Sequence, residues 1–288
     1  MKSKKYYGIN ISIFLITIGI FIRVLKDSFS WLSIQAYIAP IFFLSLISIL
    51  IVHSIKALRL YFIMLETRLS ITSFLRVYVK TTLVNLVLPF KLGEFFRMYC
   101  LGHELKSFKT SILLILVDRY FDTIPLVILI LGFTLLGQGS LKGVVIILIG
   151  FLVVITIAYA IFPSTFAYMN RFLIINTNSE RGLIGLKLLR KMRYWYFYIQ
   201  DLIKGRELIL LILSSLSWAM EYIALYSLIR GIGHMFSVTD FITYMDSVFI
   251  GSISEYINLY IGISAAILVG IIAVVYGKSF VVRKRKSV

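Results

Sequence analysis

Long apolar runs separated by short polar stretches dominate the pattern along the chain. An α-helix needs about 20 mostly apolar residues to cross the hydrocarbon of a bilayer. Six runs approach or exceed that length and predict membrane-spanning helices over about 6–25, 36–55, 107–136, 141–162, 207–229 and 259–276. Lys2, Lys4 and Lys5 precede the first run, but no small-residue cleavage site follows it, so we expect a retained span rather than a signal peptide.

Two stretches interrupt this apolar pattern with polar residues and glycine. The first, residues 85–97, reads NLVLPFKLGEFFR and ends a mixed helix expected over about 71–88. Pro89 disfavours helical backbone at Leu88, and Gly93 permits close backbone packing or a positive φ. Irregular backbone occurs at membrane depth only where it is buried in protein or lines a cavity. We therefore predict a re-entrant segment that lines a cavity, with an amphipathic surface loop as the alternative.

Ionisable side chains in these apolar surroundings are candidates for function, because each is costly at membrane depth unless it is paired or faces water. Glu94 and Arg97 are three residues apart and would share one face of a helix. The next predicted span carries Asp118 and Asp122, which are four residues apart and share a face, and Arg119, which is three residues from Asp122. This group is either a self-neutralised cluster at the membrane edge or a cluster that faces the first interrupted stretch.

The second interrupted stretch, about 237–258, aligns with the first without gaps. Glu255 then falls opposite Glu94, and Asp246 falls opposite Asn85. In the predicted topology the two stretches enter the membrane from opposite sides, as in the inverted repeats of many carriers. Chance similarity between two apolar segments is the alternative. The predicted repeats cover about 36–136 and about 207–277.

Composition places the whole chain, residues 1–288, in one integral membrane domain, since 60% of its residues are hydrophobic and 15% are charged. A net charge of +17 would suggest nucleic acid in a soluble protein, but here the cations cluster between the apolar runs. The positive-inside rule then predicts cytoplasmic termini and a cytoplasmic basic loop over about 164–206. In this topology four cations lie on the outer side of the membrane: Arg23, Lys26, Lys142 and Arg230.

The sequence gives no indication of a metal site or a disulfide bond. Cys100 is the only cysteine, which excludes an intrachain disulfide and a cysteine-rich metal site. His53, His103 and His234 are scattered, without the spacing of metal ligands. We therefore expect no metal and no cofactor.

The first interrupted stretch resembles a signature of the lysylphosphatidylglycerol synthase transmembrane-region family, also called the flippase-like domain family. The signature, N-x-x-L-P-x-x-x-G-E-x-x-R, falls on Asn85, Leu88, Pro89, Gly93, Glu94 and Arg97. The charged helix that follows it in the family is similar to the segment with Asp118, Arg119 and Asp122. The second signature, a glycine-rich turn before a glutamate, is matched only by Gly251 and Glu255. The resemblance covers most of the chain.

This resemblance implies an all-α polytopic protein of the cytoplasmic membrane, with about six spans and two re-entrant segments, that moves lipids or lipid-linked intermediates between leaflets. Relatives of the synthase fuse this region to a soluble aminoacyl-transferase domain. The chain reaches only Val288, shortly after its last predicted span, so we expect it to lack that domain and not to aminoacylate lipids by itself.

A lipid flippase or carrier is the leading hypothesis, because a charged headgroup needs a polar path through hydrocarbon. The cargo would be a phospholipid, a polyprenyl-phosphate intermediate or a glycolipid. We expect Lys91 and Arg97 to contact its phosphate, and Glu94 and Glu255 to hold those cations or take up protons. The remaining candidates for substrate binding are Asn85, Asp118, Arg119, Asp122 and Glu221, and those for the turns are Pro89, Gly93 and Gly251.

Two other functions stay open at this point. One is a membrane-embedded transferase that modifies a lipid, although the sequence shows no paired catalytic histidines and no phosphate-binding glycine loop. The other is a non-catalytic membrane partner of an envelope glycosyltransferase. We expect membrane lipids with phosphate headgroups as partners, no nucleic acid and no enzymatic activity, and we leave oligomerisation open.

Overall fold

The computed structural model of the protein describes residues 4–29, 39–67, 69–88, 92–136, 143–176, 180–250 and 255–285. Within these ranges the backbone forms ten α-helices and one short 3₁₀ turn at Leu65–Thr67, without a β-strand. The helices are α1 Lys4–Phe29, α2 Ala39–Ile63, α3 Ile71–Val87, α4 Leu92–Glu104, α5 Phe108–Leu135, α6 Gly143–Asn176, α7 Glu180–Ile203, α8 Glu207–Gly231, α9 Val238–Ile250 and α10 Glu255–Arg285. The all-α prediction is confirmed.

Four of the described helices are long and apolar enough to cross a membrane. These spans are Pro40–Ile63, Val145–Ile175, Glu207–Gly231 and Tyr256–Val275. A shorter apolar segment lies at Gly8–Arg23 in α1. At 28 residues α5 is about 42 Å long, but it carries three ionised side chains in its interior. The arrangement of six spans with two re-entrant segments therefore stays a prediction.

Several helices extend beyond the ends that the sequence predicted, among them α10, which continues past about 276 to Arg285, and also α2 and α6. We expected the second span to end near Ile55, but α2 continues for two more turns to Ile63 and takes Lys56 and Arg59 with it. We also expected a helix to end at Pro163, but α6 runs through this proline to Asn176. A proline is tolerated inside a membrane helix where neighbouring groups satisfy the freed backbone carbonyl.

The first interrupted stretch forms a tight helical hairpin. Leu88 caps α3 in an extended conformation, with φ −83° and ψ 130°, as expected for the residue before a proline. After the break, α4 packs back on α3 so closely that a Cβ on Gly93 would lie 2.1 Å from the Asn85 Cα. Only glycine fits here, so its predicted role in close packing is confirmed.

The centre of the molecule is an antiparallel pair formed by α2 and α8. At one end, a Cβ on Gly231 would lie 3.0 Å from the backbone nitrogen of Phe42. At the other end, the Arg206 guanidinium donates to the Phe62 carbonyl at 3.3 Å. Opposite directions for these two helices agree with the predicted topology. Around this pair, α3 packs against α4 and α10, α4 packs against α5, and α1 packs along α10.

The predicted basic loop over 164–206 is mostly helical. Its first part continues α6, and its second part is α7, which packs back against α6. Tyr196 of α7 stacks on Tyr159 and Phe162 of α6, with ring centroids 4.9 Å apart in both pairs. The apolar surface of α6 is left largely open, since only 11% of its span is buried inside the protein.

Candidate functional site

Three arginines and three carboxylates meet in the interior between α2, α4 and α5. We call this group the buried charge cluster: Arg59, Arg97, Arg119, Glu94, Asp118 and Asp122. Equal numbers of ionised groups of each sign make it neutral as a whole. Neutrality and close pairing are what allow ionised side chains to lie among apolar helices.

Arg59 of α2 forms the enclosed side of the buried charge cluster. Its Nε donates to Asp118 Oδ1 at 2.8 Å, and one terminal nitrogen donates to Asp122 and to Ser214 Oγ, the latter at 3.0 Å. Only 1% of its side chain is exposed. Arg59 thus ties α2 to α5 and α8 from within.

Arg119 forms the open side of the same cluster. It pairs with Asp118 and with Asp122 Oδ2, the second at 3.0 Å, and lies 3.7 Å from Glu94 Oε1. About a quarter of its side chain, 24%, remains exposed, and its Nε has no hydrogen-bond partner among the described residues. The charged segment of α5 therefore faces the first interrupted stretch, which was one of its two predicted arrangements.

Arg97 is enclosed, in contrast to Arg119. Its guanidinium donates to Thr82 Oγ1 at 3.0 Å, Thr81 Oγ1 at 3.3 Å and Glu94 Oε1 at 3.3 Å. It also lies over the Tyr78 ring, 5.6 Å from the centroid. The predicted shared face of Glu94 and Arg97 is confirmed, and 5% of the Arg97 side chain is exposed.

Asn85 and Gly93 position the Glu94 carboxylate. The Asn85 amide nitrogen donates to Glu94 Oε1 at 3.0 Å, across the hairpin contact that Gly93 makes possible. The Asn85 side-chain oxygen is buried without a partner among the described residues. Glu94 is therefore held by an amide from α3 and by arginines from α4 and α5.

A second ion pair lies beside the buried charge cluster. Lys56 Nζ is 2.6 Å from Glu221 Oε2, and the Tyr244 hydroxyl donates to the other oxygen of Glu221. Lys56 also lies over the Trp218 ring, 5.4 Å from the centroid, and the Trp218 indole donates to the Asp122 carbonyl at 3.0 Å. Like Arg119, Lys56 is partly open, with 25% of its side chain exposed.

The predicted site residues divide into three groups. The first group consists of six residues that contact one another in the structure: Asn85, Glu94, Arg97, Asp118, Arg119 and Asp122. Glu221 joins them through Lys56 and Trp218. Pro89, Lys91 and Gly251 lie outside the described residues, as does the side chain of Glu255, which begins α10. Their roles therefore stay predictions.

Sequence reasoning missed Lys56 and Arg59, although a signal for both was present. The apolar pattern does not stop at Ile55 but continues with Leu58, Leu60 and the residues up to Ile63. Helical periodicity through this segment would have placed two cations, three residues apart, on one side of a longer span. Thr81, Thr82, Ser214 and Tyr244 carried no comparable signal, because hydroxyl groups are common in membrane helices.

The carboxylates of the buried charge cluster are paired with arginines. No group of three or more His, Cys, Asp or Glu side chains in the described part of the chain is arranged to hold a metal ion. Asp118 and Asp122 each face two arginines, and Glu94 also faces two. The chemistry available here is the binding of an anion by partly open cations.

Comparison with known proteins agrees with the sequence resemblance. The family model for the lysylphosphatidylglycerol synthase TM region matches residues 11–282, nearly the whole chain. No curated protein and no solved structure gave a significant match. The match spans both interrupted stretches and all the helices that form the buried charge cluster, and the chain therefore belongs to the lysylphosphatidylglycerol synthase TM region family.

Proposed function

We propose that this protein carries a phosphate-bearing lipid from one leaflet of the cytoplasmic membrane to the other. The observation that supports this most is the pair of partly open cations, Arg119 and Lys56, at the edge of a neutral network inside apolar helices. A headgroup phosphate is the anion that a membrane presents at such a place. Membership in a family named for a lipid synthase is consistent with a lipid-related role.

Arg119 and Lys56 have the chemistry for this contact. An arginine binds phosphate through two parallel N–H groups, and a lysine acts as a point charge. Arg119 keeps an N–H group without a partner, and Lys56 approaches over the Trp218 ring. The two cations are linked through Trp218 and Asp122: Lys56 lies over the Trp218 ring, the Trp218 indole donates to the Asp122 carbonyl, and Arg119 pairs with the Asp122 carboxylate.

The network tolerates an incoming anion because its charges are shared. If Arg119 turns toward a phosphate, Asp118 and Asp122 keep their contacts with Arg59. Glu94 likewise keeps Arg97 and Asn85. No carboxylate is then left buried without a cation, which would cost about 3–5 kcal/mol. In this proposal Arg97, which we expected to touch phosphate, holds Glu94 beside Arg119.

The geometry of α2 and α8 is consistent with an inverted repeat. Each of these helices precedes one interrupted stretch, and they run antiparallel at the centre of the molecule. Two halves related in this way can open the site alternately to either side, as in other carriers. We propose that the lipid headgroup crosses between these halves while its acyl chains stay in the bilayer.

Reconstitution of the pure protein into liposomes tests this function. A phospholipid labelled on its headgroup is placed in both leaflets, and an impermeant quencher reports the lipid that reaches the outer one. We expect quenching of the inner pool to accelerate over protein-free liposomes, with lipids recovered chemically unchanged. A chemically modified lipid would favour the transferase, and no acceleration by folded protein would favour the non-catalytic partner.

A further inference from the structure

A second group of cations lies away from the site described above, where α1 packs on α3 and α4. Arg76 and Lys80 are four residues apart on α3 and share one face of the helix. Both are half-buried. The Lys80 ammonium donates to the side-chain oxygen of Asn10 on α1 and lies over the rings of Tyr6 and Phe96, 5.7 Å and 5.3 Å from their centroids.

These two cations differ from the other half-buried or buried cations because they have no carboxylate partner among the described residues. Lys56, Arg59, Arg97 and Arg119 each face a carboxylate at ion-pair distance. Lys80 instead faces an amide oxygen, the Cys100 thiol and two ring faces, and it takes part in no ion pair with a described carboxylate.

Arg76 adds an unused donor one turn closer to the start of α3. Its Nε is buried and has no hydrogen-bond partner among the described residues. A half-buried cation without a countercharge loses part of its hydration, and a buried donor without an acceptor adds to that cost. An anion placed beside this face of α3 would remove both costs at once.

We propose that Arg76 and Lys80 form a binding site for a phosphate group, with the headgroup of a membrane phospholipid as its natural source. The two residues lie about 8 Å and 14 Å along α3 from Ile71. In the predicted topology α3 starts at the cytoplasmic surface, so the site opens near the headgroups of that leaflet. Asn10 and the two rings hold the ammonium in place, and Arg76 supplies two-pronged recognition.

The test measures binding to the full chain, purified in detergent and stripped of lipid. Phosphatidylglycerol is added, and native mass spectrometry and the melting temperature report bound lipid. A glucosyl diacylglycerol, which lacks phosphate, serves as the lipid control. Lys80→Met and Arg76→Gln each remove one cation, and Lys109→Met removes an exposed cation on α5 as the matched control.

We expect phosphatidylglycerol to raise the melting temperature of the unaltered protein, and the glucosyl lipid to have no such effect. Lys80→Met and Arg76→Gln should each weaken binding at least about tenfold, as for loss of one charge-assisted hydrogen bond. Lys109→Met should bind like the unaltered protein, and Lys80→Arg should retain binding. Sodium phosphate could raise the melting temperature of the unaltered protein as much as the lipid does, and lose this effect in Lys80→Met. That result would support the site and assign free phosphate as its ligand.

The proposal would be overturned if Lys80→Met and Arg76→Gln both bound phosphatidylglycerol like the unaltered protein. It would also be overturned if Lys109→Met lost as much binding as those two variants. Lys80→Met replaces an uncompensated ammonium with an apolar group, so we expect it to fold in lipid-free detergent at least as well as the unaltered protein. The assay reports binding alone. A protein that binds lipid here but moves none would overturn the proposed transport and leave this site standing.

Discussion

Arg59 is among the largest side chains that the described structure buries completely, and it faces two carboxylates and a hydroxyl. Removing one partner of an enclosed ion pair destabilises a fold strongly, because the other charge is then left buried without a partner. Sequence reasoning found Asp118 and Asp122 by their spacing but not Arg59, which lies 59 positions from Asp118 in the chain. Pairing across that separation depends on how α2 and α5 pack, and spacing within one helix does not contain that information.

At the residue scale we predict that Arg59→Met destabilises the protein by about 3–5 kcal/mol, because two buried carboxylates then share Arg119 alone. Arg206→Met, which removes a surface pair with Glu66 and a hydrogen bond to the Phe62 carbonyl, should cost only about 1–2 kcal/mol. Unfolding in mixed detergent micelles measures both. Combining Arg59→Met with Asp122→Asn should cost less than the two changes added together. Equal stability of the two arginine variants would contradict the pairing.

The hairpin of α3 and α4 shows what can be predicted at the scale of an element. Pro89 and Gly93 predicted the break after Leu88 and the close packing, because both constraints are local to the backbone. The ends of α2 and α6 were not predicted. Cations and a proline usually end a helix, but here partners on other helices accommodate Lys56 and Arg59, and α6 continues through Pro163.

At this scale we predict that Gly93→Ala lowers the melting temperature and that Gly132→Ala does not. A Cβ at position 93 would meet the α3 backbone at 2.1 Å, whereas one at position 132 would meet nothing within 4 Å. Both glycines are helical, so helix propensity favours alanine equally at the two positions, by roughly 1 kcal/mol. Equal shifts for the two variants would mean that the hairpin is looser than described. Separation of α4 should also weaken the Asn85–Glu94 contact.

For the whole molecule, the antiparallel packing of α2 and α8 agrees with the topology that the charge distribution predicted. It does not fix which side is cytoplasmic. The all-α membrane class followed from composition and apolar runs, which are properties of the whole chain, whereas the number of spans stays a prediction, since four of the described helices are long and apolar enough to cross a membrane. The buried charge cluster joins residues of separate helices, so only its α4 and α5 members were recognisable in the sequence.

Impermeant thiol labelling tests the orientation. Cys100 is fully buried, so it is replaced by serine and single cysteines are placed at exposed turns. We predict that Met235→Cys and Leu136→Cys are labelled in intact cells, and that Lys106→Cys and Lys204→Cys are labelled only in inside-out vesicles. The basis is the excess of lysine and arginine on the predicted cytoplasmic side. Labelling of Met235→Cys and Lys204→Cys from the same side would contradict the topology.

The central claim is that the open edge of the buried charge cluster conducts a lipid phosphate, and the rate of lipid movement in liposomes containing Arg119→Gln tests it most directly. Arg206→Gln is the matched control, since it also loses an arginine paired with a carboxylate but lies outside the cluster. With equal amounts of folded protein, we predict that Arg119→Gln moves labelled phospholipid at least about tenfold more slowly than the control, as expected for one lost charge-assisted contact. Movement at the control rate would contradict the claim.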